Sequence, residues 1–309
     1  MPDGALVQMI VNPTAGRRAA GSLIPELAER FRRDGHCVRI AVTQRPGHAR
    51  HLAEQAARDR ADTVITVGGD GTVRETAAGL ADSGIRLLVV PCGTENIMGR
   101  YLGLRAEAAA LYAAWSAGRN RLVDQPTMNG RHFLLMAGVG FDAEAVHRLS
   151  RQRRRHISYW SYVPPVGRAL LERPAAAVEV KADGELVFRG KCLLFVGNVP
   201  RYALGLRLFP GAVSDDGLLD VCVLPCRWPG DVLRWGWEIW RGRHWRQPGV
   251  VYRQARAVAA RGIDGRAAPV QTDGDPAGYL PIECEAGCRQ VRFVCGCDGG
   301  ADVASRQSH

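Results

Sequence analysis

The sequence contains no apolar run that approaches the ~20 residues a helix needs to span a bilayer. Its N-terminal stretch, MPDGALVQMIVNP, carries no basic region and no cleavage site of the kind that directs secretion. Both absences argue against a protein with helical membrane spans and against an exported one. We therefore expect a cytoplasmic protein of ordinary globular composition, with a hydrophobic fraction of 46%.

Lysine is also scarce, because Lys181 and Lys191 are the only two in 309 residues. Arginine therefore supplies almost all of the positive charge behind the net charge of +10. Such a surplus favours a polyanionic partner, either nucleic acid or an anionic membrane surface. No helix-turn-helix, zinc-finger or RNA-binding signature is visible, so we expect no nucleic-acid partner.

No secretion signal accompanies the nine cysteines, so free thiols are expected. Four of them, Cys284, Cys288, Cys295 and Cys297, follow the spacing C-x3-C-x6-C-x-C. A structural zinc site normally shows paired short knuckles, which this spacing lacks. The sequence leaves open whether these four thiols bind a metal.

A glycine-rich turn follows the apolar segment from Val64 to Val67. It reads Gly68-Gly69-Asp70-Gly71-Thr72, and a helical pattern continues from it to Leu80. The order strand, glycine turn, helix is typical of phosphate binding, because the backbone N–H groups of the turn point at the anion. A carboxylate at Asp70 suits such a site only where a cation or a transferable proton is also present.

Two further strand ends open into small and polar residues, VNPTAG at residues 11–16 and PCGTEN at residues 91–96. Repeated strand-loop-helix units with continuous apolar strands predict a parallel sheet covered on both faces. The carboxyl ends of such strands meet at one edge, where open α/β sheets bind their ligands.

These three boxes, in this order and spacing, resemble the diacylglycerol kinase catalytic family, which includes the sphingosine kinases and the bacterial lipid kinases. That family is marked by NP-x-[SA]-G, GGDGT and P-x-GT-x-N, and the resemblance covers nearly the whole chain. GGDGT by itself is shared with the NAD kinases. The resemblance implies an ATP- and Mg²⁺-dependent kinase that phosphorylates a lipid hydroxyl, as in diacylglycerol.

The chain divides into an α/β half and a β half. We predict a doubly wound, parallel α/β nucleotide-binding domain over residues 1–126 and an antiparallel β-sandwich domain over residues 127–299, with a disordered tail at 300–309. The hairpin turns Asn129-Gly130, Asp183-Gly184 and Asp273-Gly274 support the second assignment. The last predicted strand, Gln290 to Cys295, is placed in this second domain.

The resemblance also implies the residues of the ATP site. They supply backbone N–H groups, hydroxyls, amides and carboxylates, and no lysine of a G-x4-GK[ST] loop is present. A role in fixing the turn is the alternative for Asp70, and a helix-dipole contact is the alternative for Glu75. The positions are Asn12, Gly16, Thr43, Gly68, Gly69, Asp70, Gly71, Thr72, Glu75, Thr94 and Asn96.

Two acidic segments of the second half match further boxes of the family. Asp273-Gly274-Asp275-Pro276 corresponds to DGE-P, which makes Asp275 the implied proton acceptor, with Asp70 as the competitor for that role. The segment FPGAVSDDGLLD at residues 209–220 resembles a second Mg²⁺ locus, held by the Asp216 carboxylate and the carbonyls of Val213 and Leu218. A plain hairpin and a plain acidic turn are the respective alternatives.

Arginine alternates with aromatic residues in two segments, 148–162 and 227–246. This composition favours contact with lipid headgroups, although Trp237 and Trp240 at helical spacing could instead be core residues. We expect peripheral association with the inner face of the membrane, and a homodimer is compatible with the family.

The lipid kinase has two alternatives. A kinase for a soluble acceptor such as NAD lacks support, because the Asn-Glu pair that NAD kinases use is absent. A catalytically weak, regulatory lipid- or nucleotide-binding protein ranks last, although three departures from the family pattern keep it open, Glu95, Gly99 and Asp275. The lipid itself stays open among diacylglycerol, a sphingoid base, ceramide, a polyprenol and a glycolipid.

Overall fold

The chain folds into two compact units, seen in a computed structural model that describes residues 4–14, 17–152, 175–287 and 289–296. The first unit comprises the described residues of 1–125, together with 203–205 and those from 289 onward. The second comprises the described residues of 126–202 and 206–288. No helix among the described residues is long and apolar enough to cross a membrane.

The first unit is built on a six-stranded sheet of order β2-β1-β3-β4-β17-β5. Strands β1 to β4 are parallel, β17 is parallel to β4, and β5 is antiparallel to β17. The elements are β1 (Leu6–Val11), α1 (Arg17–Arg33), β2 (Cys37–Val42), α2 (His48–Arg58), β3 (Thr63–Gly68), α3 (Asp70–Leu80), β4 (Arg86–Pro91), α4 (Ile97–Tyr101), α5 (Ala108–Ser116), β5 (Asn120–Asp124) and β17 (Gln290–Val294).

All six residues of strand β3 are buried, as expected for an inner strand of a parallel sheet that is covered on both faces. Helix α1 packs against α5, and α2 packs against α3. At the first pair, the Phe31 and Trp115 rings meet edge to face at 4.7 Å, and the Trp115 indole donates to Thr63 Oγ1 at 2.9 Å. The predicted doubly wound α/β domain is confirmed.

Strand β17 corrects the prediction that its residues belong to the second domain. It pairs with β4 and β5 of the first sheet. Asp82 fixes its start, accepting hydrogen bonds from the Gln290 backbone N–H and the Arg289 guanidinium, both at 2.9 Å. The chain therefore returns to the first sheet after completing the second unit.

The second unit is antiparallel throughout, as predicted. Its strand order is β15-β14-β8-β10-β9-β13-β16-β6-β7, with β11 also paired to β10 and β12 paired to β11. The elements are β6 (Thr127–Met128), β7 (Arg131–His132), β8 (Met136–Val139), α6 (Phe141–Gln152), β9 (Ala176–Ala182), β10 (Glu185–Gly197), β11 (Leu219–Pro225), α7 (Pro229–Trp240), β12 (Val251–Ala255), β13 (Ala257–Gly262), β14 (Pro269–Thr272), β15 (Asp275–Tyr279) and β16 (Ile282–Glu285).

Alternating apolar side chains from these strands form one core, which includes Val178, Val180, Val221, Val223 and Val258. Strand β10 runs for 13 residues without a break, and its backbone continues through Gly190 with φ +153°. That φ value is one that glycine tolerates and larger residues rarely adopt.

Helices α2 and α3 approach closely enough to require glycine at position 79. A Cβ there would lie 2.5 Å from the Arg50 carbonyl oxygen and 2.8 Å from Ala53 Cβ. We expect Gly79→Ala to lower the free energy of unfolding by about 1–3 kcal/mol, because overpacking outweighs the gain in helix propensity. Gly21→Ala in α1 is the matched control, because its Cβ would meet nothing within 4 Å. Urea unfolding that ranks both variants alike would contradict the close approach.

Candidate active site

The strand order reverses between β1 and β3, and this is where the first two predicted loops meet. In open α/β sheets, the crevice at such a reversal is the usual place for a ligand. Asn12, after β1, donates from Nδ2 to Thr72 Oγ1 at 3.0 Å, and Thr72 lies in the first turn of α3. Asn12 Oδ1 in turn accepts from the Thr14 backbone N–H and hydroxyl.

The glycines of the GGDGT turn allow the close contacts on which this arrangement depends. A Cβ on Gly68 would lie 2.6 Å from Thr72 Oγ1 and 2.7 Å from Thr72 Cβ. A Cβ on Gly93, in the loop after β4, would lie 2.6 Å from Gly69 Cα. Helix α3 begins at Asp70, inside this turn, and its Thr72 N–H already donates to the Gly69 carbonyl at 2.9 Å. The N–H groups of Asp70 and Gly71, at the first two positions of the helix, have no intrahelical acceptor and form the part of the site best suited to phosphate.

Asp70 joins the turn to the third predicted loop. Its Oδ2 accepts from the Ile97 backbone N–H and its Oδ1 from the Met98 N–H, both at 3.1 Å. Burial raises the pKa of Asp70, the two backbone hydrogen bonds lower it in part, and the neighbouring charge of Glu95 raises it again. Asp70 therefore has the turn-fixing role that the sequence left as an alternative. Each carboxylate oxygen also keeps a second lone pair, which would suit a metal ion or its bound water.

Asn96 closes the third loop on itself. Its Oδ1 accepts from the Gly93 N–H at 2.6 Å, its Nδ2 donates to the Gly93 carbonyl at 2.8 Å, and its φ is +51°. Asparagine tolerates this left-handed conformation better than most residues. Thr94 is exposed in the same loop. Asn96 therefore shapes the loop with both of its side-chain polar atoms.

Two other predicted ATP-site residues lie at the same edge of the sheet. Thr43 follows β2, is half-buried, and donates its backbone N–H to the Val11 carbonyl at 2.8 Å. Glu75 Oε1 accepts from the N–H of Gly47, the residue that precedes α2, at 2.8 Å. Glu75 thus places its charge at the N-terminus of α2, whereas the sequence suggested a contact with the dipole of its own helix. Gly16 lies outside the described residues.

The Asp273-Gly274-Asp275 turn of the second unit joins β14 to β15. Asp273 has φ +51° and accepts three backbone hydrogen bonds: from Leu134 N at 2.8 Å, Leu135 N at 2.8 Å and Met136 N at 3.0 Å. Asp275 is half-buried at the start of β15, a strand the sequence did not predict. Asp273 therefore fixes the turn, and Asp275 stays the predicted proton acceptor.

A buried carboxylate that the sequence analysis missed also supports this turn. Asp142 Oδ2 accepts from Gln271 Nε2 at 3.0 Å, and Gln271 Oε1 accepts from the Gly274 N–H at 2.9 Å. Both side chains lie over Gly138, whose Cβ would fall 2.3 Å from Asp142 Oδ2. In sequence, Asp142 resembles an ordinary helix-start aspartate, and only the glycine at 138 hints at the close packing.

Because Asp142 is buried, we expect the free energy of unfolding to depend on pH. Burial raises its pKa from 3.8 to about 6, against a smaller opposing effect of the Gln271 hydrogen bond. Because the folded state holds the proton more tightly, the stabilisation is complete below pH 4 or so and is lost as pH rises through about 6. This amounts to up to about 3 kcal/mol.

We expect Asp142→Asn to flatten this dependence and to be the more stable protein at pH 7.5. Urea unfolding at pH 5 and pH 7.5 measures it, with Glu283→Gln on β16 as the exposed control. An unchanged pH dependence in Asp142→Asn would assign the effect to another group.

The predicted second metal locus holds two carboxylates that influence each other. Asp216 Oδ1 accepts from the Leu218 N–H at 3.0 Å, and Gln254 Nε2 contacts Asp216 Oδ2 at 3.3 Å and Asp220 Oδ2 at 3.5 Å. Burial raises the pKa of Asp220, and the charge of Asp216 raises it further. A hard cation would relieve this repulsion, so the donors present fit Mg²⁺. The carbonyl ligands Val213 and Leu218 stay predictions.

The cysteine cluster gains no support as a metal site. Cys284 lies in β16 of the second unit and Cys295 follows β17 of the first. Cys288 and Cys297 lie outside the described residues. Among the described residues, no group of three or more histidine, cysteine or acidic side chains is arranged to hold a metal ion.

The fold combines an α/β unit, whose loops meet at a switch point of its parallel sheet, with an antiparallel β domain. Residues 7–126 match the diacylglycerol kinase catalytic domain, and residues 136–295 match the YegS C-terminal NAD kinase beta sandwich-like domain. The chain belongs to the diacylglycerol kinase catalytic domain family, among the proteins that carry this C-terminal domain.

Relatives that match over most of their length bear the same name. A diacylglycerol kinase of Bacillus subtilis (strain 168) is 29% identical over 292 residues, 93% of this chain and 95% of the relative. A diacylglycerol kinase of Staphylococcus carnosus (strain TM300) is 27% identical over 277 residues, 89% of this chain and 90% of the relative.

The crystal structure of a diacylglycerol kinase from Bacillus anthracis str. Sterne agrees in fold, with a TM-score of 0.67 at 22% identity over 94% of this chain and 97% of that one. These comparisons support a kinase.

Proposed function

We propose that this protein is an ATP- and Mg²⁺-dependent lipid kinase that transfers the γ-phosphate of ATP to a hydroxyl of a diacylglycerol-like lipid. The observation that carries the proposal is the joining of three loops at one switch point, through Asn12 to Thr72 and through Asp70 to Ile97 and Met98. These contacts hold a glycine-lined helix N-terminus open for a polyphosphate.

Within the first unit, the chain's own groups would bind and orient ATP. The N–H groups at the start of α3 and the loop around Asn96 would face the phosphates, and the Asp70 carboxylate would hold the Mg²⁺ ion of the nucleotide, directly or through water. When bound, Mg²⁺ would neutralise charge on the phosphate oxygens that the protein, lacking a Walker lysine, meets only in part. In the other unit, Asp216 and Asp220 would hold a second ion of the same kind.

Within the second unit, Asp275 takes the proton of the acceptor hydroxyl. Its position depends on the Asp273 turn and on the chain from Asp142 through Gln271 to the Gly274 N–H. General bases of this type act from a fixed, hydrogen-bonded scaffold. We propose further that the protein works at an anionic membrane surface, from the cytoplasmic side.

A soluble acceptor is the second candidate, because the C-terminal domain matches a beta sandwich of NAD kinase type. In that case NAD would accept the phosphate, and the exposed tryptophans of the second unit would have no part in substrate delivery. The names of the relatives favour the lipid instead.

The deciding experiment follows labelled γ-phosphate from ATP with Mg²⁺ in mixed micelles that contain diacylglycerol, sphingosine, ceramide, undecaprenol or NAD. We expect label in a lipid, and the labelled lipid identifies the acceptor class. Label in NAD alone would replace the lipid kinase with an NAD kinase. ATP binding without transfer to any acceptor would favour the regulatory alternative.

A further inference from the structure

Helix α7 exposes apolar side chains that globular proteins normally bury. Trp228, Leu233, Trp237 and Trp240 are exposed by 63%, 66%, 54% and 67%, and they make up four of the eleven large hydrophobic residues exposed in the described chain. Leu233, Trp237 and Trp240 follow the spacing i, i+4, i+7, so they share one face of the helix. We call these four residues the tryptophan face. Concentrated exposure of this kind marks an interaction site.

The opposite side of α7 is a packed core face, so the exposure does not reflect a loosely attached helix. Trp235 and Ile239 are 2% and 8% exposed, and the Trp235 indole donates to the Pro225 carbonyl at 2.7 Å. Asp231 Oδ2 caps the helix by accepting from the Arg227 backbone N–H at 2.7 Å. The tryptophan face is therefore held outward by a fixed helix.

The tryptophans themselves form an ordered surface. The Trp237 and Trp240 rings stack with centroids 5.0 Å apart, and the Arg241 guanidinium lies 5.8 Å from the Trp237 centroid. Trp228 folds over the first turn of the helix, where a Cβ on Gly230 would lie 2.3 Å from its ring. Indole rings of this kind are enriched at the level of lipid headgroups, because they are amphipathic.

The charge around the tryptophan face is positive. Arg234 and Arg241 are exposed and, at 100° per residue, both flank the stripe on one side. The acidic residues of the helix lie nearer its buried side: Asp231 caps the helix, and Glu238 accepts from Gln247 Nε2 at 3.2 Å. Arginine and tryptophan together suit an anionic lipid surface, where arginine meets the phosphates.

We propose that α7 is the element that docks this protein on an anionic bilayer, with its tryptophan face inserted at headgroup level and its arginines on the lipid phosphates. A second copy of the chain is a poorer occupant, because a two-fold contact through this face would bring like-charged arginines together. The biological role of this docking rests on the proposed function, since a lipid kinase needs access to a membrane. The docking itself requires no catalysis.

Vesicle sedimentation of the full chain without ATP tests the proposal. We expect binding to vesicles of equal parts phosphatidylglycerol and phosphatidylcholine, and weak binding to phosphatidylcholine alone. Trp237→Ala with Trp240→Ala should lower the partition coefficient at least about tenfold. Arg234→Gln with Arg241→Gln should weaken binding only to the anionic vesicles and reduce its salt dependence. Leu186→Ser, on a strand where Leu186 is also exposed, should bind as the wild type does.

Several results would overturn the proposal. Unchanged partition of the double tryptophan variant would mean that net charge alone binds the vesicles. If the wild type is a dimer and the double tryptophan variant is a monomer, the tryptophan face binds a second copy of the chain. Binding to an acidic polypeptide, dependent on the tryptophans and without vesicle binding, would assign it to a protein.

A kinase assay on short-chain, monomeric diacylglycerol separates docking from catalysis. We expect the tryptophan variant to retain wild-type kcat there, because the tryptophan face takes no part in transfer. Vesicle binding by a protein that phosphorylates no lipid would contradict the proposed function and support α7 as a docking element. Lipid phosphorylation without vesicle binding would support the proposed function and contradict docking by α7.

Discussion

Replacing Asp70 with alanine is expected to lower kcat for phosphoryl transfer by about 10²–10³-fold or more, the cost of removing one preorganised electrostatic group from a transition state. The change also leaves the Ile97 and Met98 N–H groups without their acceptor, so the loop after β4 loses its attachment to the GGDGT turn. Steady-state kinetics with the acceptor that the labelling experiment identifies measures kcat, and urea unfolding measures the loss of stability.

Asp70→Asn separates the two roles of this residue. The amide removes the charge and keeps one oxygen acceptor, so one of the two backbone N–H groups loses its partner. We expect a loss of stability of about 1–3 kcal/mol, smaller than in Asp70→Ala, with most of the loss in kcat. Asp82→Asn is the matched control, because Asp82 also accepts backbone and guanidinium hydrogen bonds in the first unit, at the start of β17. It should lower stability and leave kcat alone. Full activity in Asp70→Asn would reduce Asp70 to a fixing role.

Replacing Asp275 with asparagine should lower kcat by about 10²–10⁴-fold, the range for loss of a general base, with little effect on the KM for ATP. Asp275 is half-buried at the start of β15, and the folding of the turn depends on Asp273 instead. Thermal unfolding of Asp275→Asn should therefore match the wild type. Wild-type kcat in this variant would transfer the base role to Asp70.

Two further variants sharpen this test. Asp275→Glu restores the longer carboxylate found in the family's DGE-P box and should keep much of the activity. Asp273→Asn should instead destabilise the protein, because a carboxylate that accepts three backbone N–H groups is replaced by one oxygen acceptor. Equal kinetic effects from Asp273→Asn and Asp275→Asn would mean that the turn acts as one unit.

The motifs were enough to predict the fold class, the loops at the edge of the first sheet and the carboxylates in them. Each is a local pattern: an apolar strand, a glycine turn and a helix start. The contacts that join the loops could not be predicted from the sequence, because these hydrogen bonds link residues far apart in it. Asn12 donates to Thr72, and Asp70 accepts from Ile97 and Met98. The same limit hid Asp142, whose partner Gln271 is on β14.

Strand β17 shows a second limit. Gln290 to Val294 has the alternating pattern of a strand in either sheet, and the sequence around it is continuous with the β half. Its place in the first sheet is decided by pairing with β4 and β5 and by Asp82 at its start, contacts that carry no local signature.

The sequence by itself determined that Trp237 and Trp240 lie at helical spacing among arginines, because periodicity is a property of local spacing. Whether these two side chains belong to the core or to the surface was decided by the tertiary structure. Trp235 and Ile239 pack inward, whereas Trp237 and Trp240 are exposed. Indole rings on either side of the helix would bury similar apolar area, so the choice rests on how each side fits against neighbouring elements, and that fit exists only in the assembled fold.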